Sequence, residues 1–454
     1  MVPEDEQATY NPTCTKWFAG LVMAGQEIRQ RDATNPQRLK AGETSSALAA
    51  DNVMILQNFP QAQQPSMIQQ LPRRSLWTVI LAISLTIVLL LGVPRPLLTT
   101  KLVAQGQGAL QHINNATLGF EKIFVVGLPE RTDRRDGLTL QAALSNLKVE
   151  FMDGVRGEHI AEKAIPVTED GVTLDAPVLG CWRGHMNAVA EVVRQNLSSV
   201  LILEDDADWD VRIRQQLQDF ALATRALTQP LAGSSHSNPS YADVTMNDPS
   251  QPEGHEISFH NLPMTLPPTL SPYGDDWDLL WVGNCGLHFP FPQSTNIPKG
   301  RVIYEGDTTV APQRNLWSIN VPFTLKEKYA QHTRAIHHAQ EGVCTVGYAL
   351  SQRGARRILE EIALKPVTDA YDILMRFFCE GTHGRKKGIC IAPQPPYFHS
   401  HRRAGLPGAM SDIGDHKGAY REEAMTDMVR WSVRLNSALI LDGRTDYVDQ
   451  YPDE

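Results

Sequence analysis

Three consecutive carboxylates, Glu204-Asp205-Asp206, follow the apolar run SSVLIL at residues 198–203. Because burying an unpaired charge is costly, these side chains need a cation or water beside them. Carboxylate oxygens suit Mn²⁺ or Mg²⁺, and such an ion neutralises a diphosphate that departs as a leaving group. We expect Asp205 and Asp206 to bind the metal, and Glu204 to support them or contact a nucleotide. A solvated acidic turn without a ligand is the alternative.

The segments around the triplet predict an open α/β sheet. The apolar runs KIFVVGL (122–128) and VEFMDGV (149–155) are typical of strands, and residues 137–147 between them have helical spacing. From Gly180, apolar residues again recur at helical spacing, and this helix leads into the strand that ends at the triplet. The alternation favours a mainly parallel central sheet, whose ligands bind beyond the carboxyl ends of the strands.

The later part of the body carries weaker signals. Residues 225–275 are rich in Pro, Ser, Asn, His and Gly, which predicts an insertion loop. A strand is predicted at 276–286, and a strand that runs into a helix at 344–364.

Composition and cysteine spacing exclude some classes of protein. The 454 residues carry a net charge of −9, so we expect no nucleic-acid partner. The cysteines show no CxxC or Cys/His spacing, and structural zinc is not indicated. After residue 100 five cysteines remain, which allow at most two disulfides in an oxidising compartment. Cys379 and Cys390 are the pair with the shortest loop to close.

Residues 75–93, SLWTVILAISLTIVLLLGV, have the length and apolar character of a transmembrane helix, with a buried core helix as the alternative. Asn-x-Ser/Thr acceptors at Asn115 and Asn196 follow this span. We therefore predict a single-pass type II glycoprotein of the secretory pathway, in the Golgi membrane, with its body in the lumen. The predicted parts are a disordered cytoplasmic tail (1–74), the transmembrane helix (75–93), a stem (94–118), a catalytic domain (119–425) and a C-terminal extension (426–454).

Four blocks resemble, in order and content, glycosyltransferase family 25, the lipooligosaccharide and collagen galactosyltransferase family. They are IFVVGLPERTDRR (123–135), LGCWRGHMNAVAEVVRQNLSSVLILEDDADW (179–209), TVGYALSQRGARRILE (345–360) and PVTDAYDILM (366–375). The second block is the most specific, because it joins a Gly-Cys helix to a strand with Glu-Asp-Asp. Two positions depart from the family pattern: Gly127 replaces the usual Asn, and Gly184 replaces the usual Ser.

The resemblance implies a GT-A-like nucleotide-diphosphosugar transferase fold. It also implies an inverting, Mn²⁺-dependent transfer of a sugar, often galactose from UDP-galactose, to a glycan or glycoprotein. Asp372 and Asp369 are the candidate bases for the acceptor hydroxyl, and they share one side of a helix if the segment is helical. Candidate substrate and nucleotide contacts are Arg131, Arg134, Arg135, Asp153, Gly154, His185, Glu204, Tyr348 and Ser351.

Several of these residues also have a structural interpretation. His185 fits a hydrogen-bonded residue of a packed helix, and Tyr348 fits a core tyrosine. Cys181 fits a small buried side chain better than a nucleophile. Asp412 resembles a family segment Ser-Asp-Ile, with a cap or turn as the alternative.

Two other functions are weighed against transfer. A catalytically inactive binding or scaffold module is compatible with the departures at Gly127 and Gly184. A metallohydrolase of phosphate esters is disfavoured, because no HExxH set of histidines is present in the body.

Overall fold

The structure is a computed structural model that describes residues 108–453, except 168, 170, 172, 173, 236, 407–410 and 414–419. The predicted tail, the predicted span 75–93 and the stem as far as residue 107 lie outside these residues. Among the described residues, no helix is both long and apolar enough to cross a membrane. For the described residues, the predicted fold is therefore corrected to an α/β domain with no membrane-spanning helix among them.

Seven α-helices lie wholly within the described residues. They are α1 (Thr132–Leu144), α2 (Ala176–Arg194), α3 (Ile213–Thr228), α4 (Thr324–Lys328), α5 (Gln352–Ile358), α6 (Tyr371–Glu380) and α7 (Ser437–Leu441). The helix α5 continues as a π-helical turn at Leu359–Ala363.

The described strands are short and numerous. They are β1 (Lys122–Gly127), β2 (Glu150–Asp153), β3 (Ser199–Glu204), β4 (Ala207–Trp209), β5 (Glu256–Ser258), β6 (Leu279–Gly283), β7 (Gly286–His288), β8 (Arg301–Tyr304), β9 (Arg334–His338), β10 (Gln340–Val343), β11 (Gly347–Ser351), β12 (Cys390–Gln394), β13 (Phe398–Arg402) and β14 (Met425–Thr426).

The central sheet has nine strands in the order β2-β1-β3-β11-β6-β12-β9-β8-β5. Its first three strands are parallel, as predicted. The strand β11 is antiparallel to both of its neighbours, and β9 is likewise antiparallel to β12 and β8. The sheet is therefore mixed, and the prediction of a mainly parallel sheet is wrong. The class, α/β, is confirmed.

Apolar side chains cover both faces of this sheet. Along β1, Ile123 and Val125 pack with α3 in one core, whereas Phe124 and Val126 pack with α2 in the other. Successive residues of a strand point to opposite faces, so an unbroken apolar run is what a doubly covered strand requires. This burial explains why β1 and β3 were recognisable from sequence.

Two disulfides join elements of the body, Cys285 to Cys344 and Cys379 to Cys390. Of the described cysteines, Cys181 alone is free. The number of disulfides equals the upper limit of two set by the sequence, and Cys379–Cys390, the pair with the shortest loop to close, is one of them.

Candidate functional site

The acidic triplet lies where three strands of the sheet end. The strand β1 pairs in parallel with β2 and β3, so that Val126 is opposite Glu204 and Gly127 is opposite Asp153. The backbone N–H of Asp205 donates to the carbonyl of Val126 at 3.1 Å, which fixes the turn after β3. The triplet therefore occupies the carboxyl edge of neighbouring parallel strands, the position at which open α/β sheets bind ligands.

A cleft opens beyond these strand ends. Glycines form much of its wall: Gly127, Gly154, Gly157, Gly180 and Gly184. We call this cavity the glycine cleft. A Cβ atom on Gly127 would lie 2.2 Å from Asp205 Oδ2, and one on Gly184 would lie 3.3 Å from Val126 Cγ1. Gly127 and Gly184, the two departures from the family pattern, thus lie in tightly packed places. The absence of side chains there lets the end of β1 approach the Asp205 carboxylate and helix α2 closely.

Arg134, in the first turn of α1, faces the triplet directly. Its Nη1 lies 2.7 Å from Asp205 Oδ1, and its Nη2 lies 3.4 Å from Asp206 Oδ2. The nearby carboxylates raise the pKa of Arg134 despite its burial. Burial raises the pKa of Asp205 to about 6, and the charges of Asp206 and Glu204 act in the same direction. This edge therefore holds more negative charge than one arginine neutralises.

The two aspartates fit a metal ion only in part. Asp206 Oδ1 is buried and has no hydrogen-bond partner among the described residues, so a ligand position is available. In the part of the chain that the structure describes, no group of three or more His, Cys, Asp or Glu side chains is arranged around an ion. Mg²⁺-type ions are commonly held by one or two carboxylates together with substrate phosphates. Asp205 and Asp206 fit an ion of that kind, rather than one held by protein ligands alone.

Glu204 belongs to a hydrogen-bonded chain below the cleft. Tyr371 donates to the hydroxyl of Tyr348, at 3.0 Å, and Tyr348 lies 3.0 Å from His185 Nδ1. This order directs the Tyr348 hydroxyl hydrogen to Nδ1, so the His185 hydrogen is on Nε2, which lies 3.6 Å from Glu204 Oε1. The Thr345 hydroxyl donates to the same oxygen at 2.6 Å. Although burial opposes ionisation, these contacts lower the pKa of Glu204.

The remaining arginines of the first block hold different partners. Arg131 pairs with Asp133 and with Asp412, and Asp412 also lines the glycine cleft. Arg135 pairs with Asp153 and donates to the carbonyl of Gly127 at 3.2 Å. Arg135 therefore ties together the ends of β1 and β2, whereas Arg131 joins Asp133 to Asp412.

Three predicted site residues line neither of the cavities. Asp372 accepts backbone N–H groups of Cys344 and Ile373, at 2.8 and 2.9 Å, and lines neither cavity described here. Asp369 precedes α6, so the two candidate bases do not share a helix face. Ser351 caps α5 by accepting the N–H of Gly354 and is opposite Ser199, at the far end of β3 from the triplet.

Tyr348 reaches the site only indirectly, because its side chain is fully buried and contacts His185 rather than the cleft. The contacts of Tyr348 and His185 therefore support the interpretation of each as a structural residue. His185 nevertheless lines the glycine cleft together with Glu204.

Residues from the end of the chain complete the site. Arg434 donates from Nη2 to the carbonyl of Asp205 at 3.0 Å and from Nε to Gln141 at 2.7 Å. Arg434 and His401 line a second cavity, the second pocket, which shares Arg134 and Asp206 with the glycine cleft. Sequence reasoning missed these residues, because an isolated Arg or His in a segment without periodicity gives no local signal.

Comparison with known proteins agrees with this geometry. Residues 120–244 match the family described as Glycosyltransferase family 25 (LPS biosynthesis protein). This segment contains β1 to β4 and the whole acidic triplet. Over this segment the chain is similar to glycosyltransferase family 25, and the similarity supports a glycosyltransferase domain.

Individual relatives include proteins named as galactosyltransferases and proteins named as inactive family members. Procollagen galactosyltransferase 1 of Danio rerio is 28% identical over 114 residues, which are 23% of this chain and 19% of the relative. Inactive glycosyltransferase 25 family member 3 of Homo sapiens is 30% identical over 112 residues, 22% of this chain and 19% of the relative. The chain thus aligns with about a fifth of the length of these relatives.

Proposed function

We propose that this protein is a metal-dependent inverting glycosyltransferase that transfers galactose from UDP-galactose to a hydroxyl of a glycan or glycoprotein. One observation carries the proposal. Asp205, Asp206 and Arg134 converge at the carboxyl edge of parallel strands, beside an open cleft, within the segment that matches the family. This arrangement combines the negative charge that binds a divalent ion with a guanidinium that binds phosphate oxygens.

In the proposed reaction the nucleotide occupies the glycine cleft. Asp206, through its unpartnered oxygen, and Asp205 would hold Mn²⁺ or Mg²⁺, which when bound supplies positive charge to the diphosphate. Arg134 stabilises the negative charge that the leaving UDP acquires. The acceptor oxygen forms a bond to the anomeric carbon, the bond from that carbon to the diphosphate breaks with its electron pair going to UDP, and the hydroxyl proton passes to a basic group or to water.

A direct test uses the purified full chain with a panel of UDP-sugars, with and without Mn²⁺. We expect release of free sugar only with the metal, and most rapidly from UDP-galactose. Asp206→Asn should reduce the rate by at least about 100-fold while circular dichroism stays unchanged. Asp248→Asn, which alters an exposed turn, is the matched control and should keep the wild-type rate. Full activity of Asp206→Asn would refute the metal assignment.

An inactive binding module is the second candidate, favoured by the similarity to inactive family members. Calorimetry with UDP and Mn²⁺ distinguishes a transferase or a binding module, both of which bind UDP, from a scaffold, which does not. Binding of UDP without turnover of any UDP-sugar would indicate a binding module, and absence of UDP binding would indicate a scaffold.

We also propose that the body works in the lumen of the secretory pathway. Disulfides persist in oxidising compartments, and this body has two. The acceptor asparagines Asn115 and Asn196 are both exposed. Cleavage by an N-glycosidase should increase the mobility of the protein made in eukaryotic cells. An unchanged mobility, with Asn115→Gln and Asn196→Gln also unchanged, would count against the lumenal location.

A further inference from the structure

The second pocket adjoins the glycine cleft at two residues, Arg134 and Asp206, that line both cavities. A transferase must hold two substrates with their reacting atoms in contact, because orientation of the two partners supplies much of the rate. If the nucleotide fills the glycine cleft, the second pocket is the cavity that opens onto the same carboxylates from another direction. Its position is therefore that of the second substrate.

The wall of the second pocket has an apolar and a polar part. Leu140, on α1, is 43% exposed, although a leucine of an amphipathic helix is commonly buried. The pocket is also lined by polar side chains, among them His401 on β13 and Arg434. A small number of polar groups within a partly apolar wall is the usual composition of a small-molecule site. The C–H faces and hydroxyls of a sugar match the two parts.

His401 is held by a chain of hydrogen bonds that determines which ring nitrogen carries hydrogen. Thr426 donates its hydroxyl hydrogen to Asp208 Oδ2 at 2.6 Å, and Asp208 is fully buried. His401 Nδ1 lies 3.0 Å from the same Thr426 oxygen. Because the hydroxyl hydrogen is already directed at Asp208, the oxygen accepts, and Nδ1 is the protonated nitrogen.

The other nitrogen of His401, Nε2, is then a hydrogen-bond acceptor. Among the described residues none donates a hydrogen bond to Nε2. The buried atoms that lack a partner do not include Nε2, so this nitrogen is not a buried, unsatisfied acceptor. The backbone N–H of His401 donates to the carbonyl of Asp206 at 2.8 Å, which fixes the ring next to the carboxylate shared by both cavities. An acceptor atom thus faces a pocket in which, apart from Asp133 and Asp206, charged side chains are donors.

We propose that the second pocket is the acceptor site, that it binds a hydroxyl-bearing sugar or hydroxylated side chain, and that His401 Nε2 accepts the hydrogen bond of the attacking hydroxyl. This inference rests on the proposed transferase function. Leu140 contacts the acceptor, and Thr426 and Asp208 act as positioning residues, since they reach the acceptor only through His401.

The first test reads the tautomer of His401 and does not depend on activity. The full chain is labelled with ¹⁵N-histidine, and the His401 signals are assigned by their loss in His401→Gln. Long-range ¹H–¹⁵N spectra should show hydrogen on Nδ1 and none on Nε2. Thr426→Val removes the accepting oxygen and should change this pattern. Hydrogen on Nε2 in the wild type would overturn the proposal.

The second test separates transfer from hydrolysis, with UDP-galactose as the donor and procollagen as the acceptor probe. Transferred and free galactose are measured in the same reaction. Leu140→Trp, which fills the pocket, and His401→Ala should lower the ratio of transfer to hydrolysis at least about tenfold, whereas His401→Gln should retain part of it. Leu441→Trp is the matched control, because Leu441 is an exposed leucine of α7 that does not line the pocket.

The outcomes are distinguishable from failure of the proposed function. A wild-type ratio in Leu140→Trp and in His401→Ala would overturn the acceptor site. Absence of both hydrolysis and transfer in the wild type would instead contradict the transferase function on which the inference rests. If the wild type hydrolyses UDP-galactose but leaves procollagen unmodified, the tautomer of His401 decides.

Discussion

Arg134 Nη1 lies 2.7 Å from Asp205 Oδ1, so the first helix of the domain places a guanidinium against the predicted metal ligands. Its second nitrogen lies 3.4 Å from Asp206, and the cation therefore sits between the two carboxylates. A divalent ion that binds the same oxygens has to displace this cation or share the oxygens with it. Diphosphate oxygens offer Arg134 an alternative partner, which favours joint binding of ion and nucleotide.

Arg134→Gln tests this relationship. Without the competing charge, the affinity of the protein for Mn²⁺ alone should rise by about tenfold, equivalent to about 1.4 kcal/mol. The affinity for UDP in the presence of Mn²⁺ should fall, because a phosphate contact is lost. Calorimetric titration with Mn²⁺ alone and with UDP measures both. Arg194→Gln changes an arginine that pairs with Glu191 on the exposed side of α2 and serves as control. Tight Mn²⁺ binding by the wild type without nucleotide would contradict the competition.

Local sequence predicted the triplet and the strand that carries it, because a doubly covered strand is a continuous apolar run and the polar residues that follow must lie outside it. The direction of β11 was not predictable in this way. The run GYALS has the same apolar character in either direction, and its direction depends on pairing with β3 and β6. The prediction of a mainly parallel sheet was wrong because the local sequence does not show with which strands, and in which direction, β11 pairs.

The polar part of the site was predictable only where residues belong to neighbouring blocks of one parallel strand-helix unit. Arg134 and Asp205 belong to neighbouring blocks of the same parallel unit, and their proximity follows from strand order. Arg434 lies 229 positions after Asp205 and reaches its carbonyl oxygen. No periodicity or motif marks such a contact, which depends on how the end of the chain packs.

Asp219, on α3, links stability to pH. Burial raises the pKa of its carboxyl to about 6 from 3.8, Asp307 acts in the same direction, and Arg334 and Gln215 oppose it. The folded state therefore binds the proton more tightly than the unfolded state. Its contribution to the free energy of unfolding is greatest below the unfolded pKa and is lost as the pH rises through the folded pKa.

Asp219→Asn should remove this dependence. At pH 7 the variant should be more stable than the wild type by about 1–2 kcal/mol, and the difference should shrink as the pH falls from about 6 to about 4. Urea unfolding at several pH values measures it. Asp248→Asn should behave in the opposite sense, because hydrogen bonds from Ser250 and Gln251 lower the pKa of Asp248. Parallel profiles of Asp219→Asn and the wild type between pH 4 and 6 would refute the assignment.

The two disulfides differ in the loop that each closes. Cys285 and Cys344 are 59 residues apart, whereas Cys379 and Cys390 are 11 apart. On the loop-entropy model, replacing both members of the first pair by alanine should cost about 1.5 kcal/mol more than replacing the second pair. Urea unfolding of both double variants, without reductant, provides the comparison, and an equal or reversed order would contradict it.

Only the first disulfide adjoins the site. The N–H of Cys344 donates to Asp372 at 2.8 Å, and the next residue, Thr345, donates to Glu204. The variant without this disulfide should therefore also bind UDP more weakly, measured by calorimetry at a temperature where it remains folded. The variant that lacks Cys379 and Cys390 is the matched control and should keep wild-type affinity.

Gly127 and Asp205 compete for the same space. A Cβ atom on Gly127 would lie 2.2 Å from Asp205 Oδ2 and 2.6 Å from Asp205 Cγ, both far inside van der Waals contact. An asparagine at this position, the usual residue in the family that the sequence resembles, would therefore require Asp205 to move. The glycine and the present position of Asp205 depend on each other.

A double-mutant cycle measures that dependence. Gly127→Ala should destabilise the protein by about 1–3 kcal/mol, since the added methyl displaces a buried carboxylate from Arg134. In the background of Asp205→Ala the same change should cost less by at least about 1 kcal/mol, because the colliding atoms are absent. Gly108→Ala, where an added Cβ meets nothing within 4 Å, is the control for a glycine replaced without contact. Additive free energies of unfolding for Gly127→Ala and Asp205→Ala would show that the collision does not determine the position of the carboxylate.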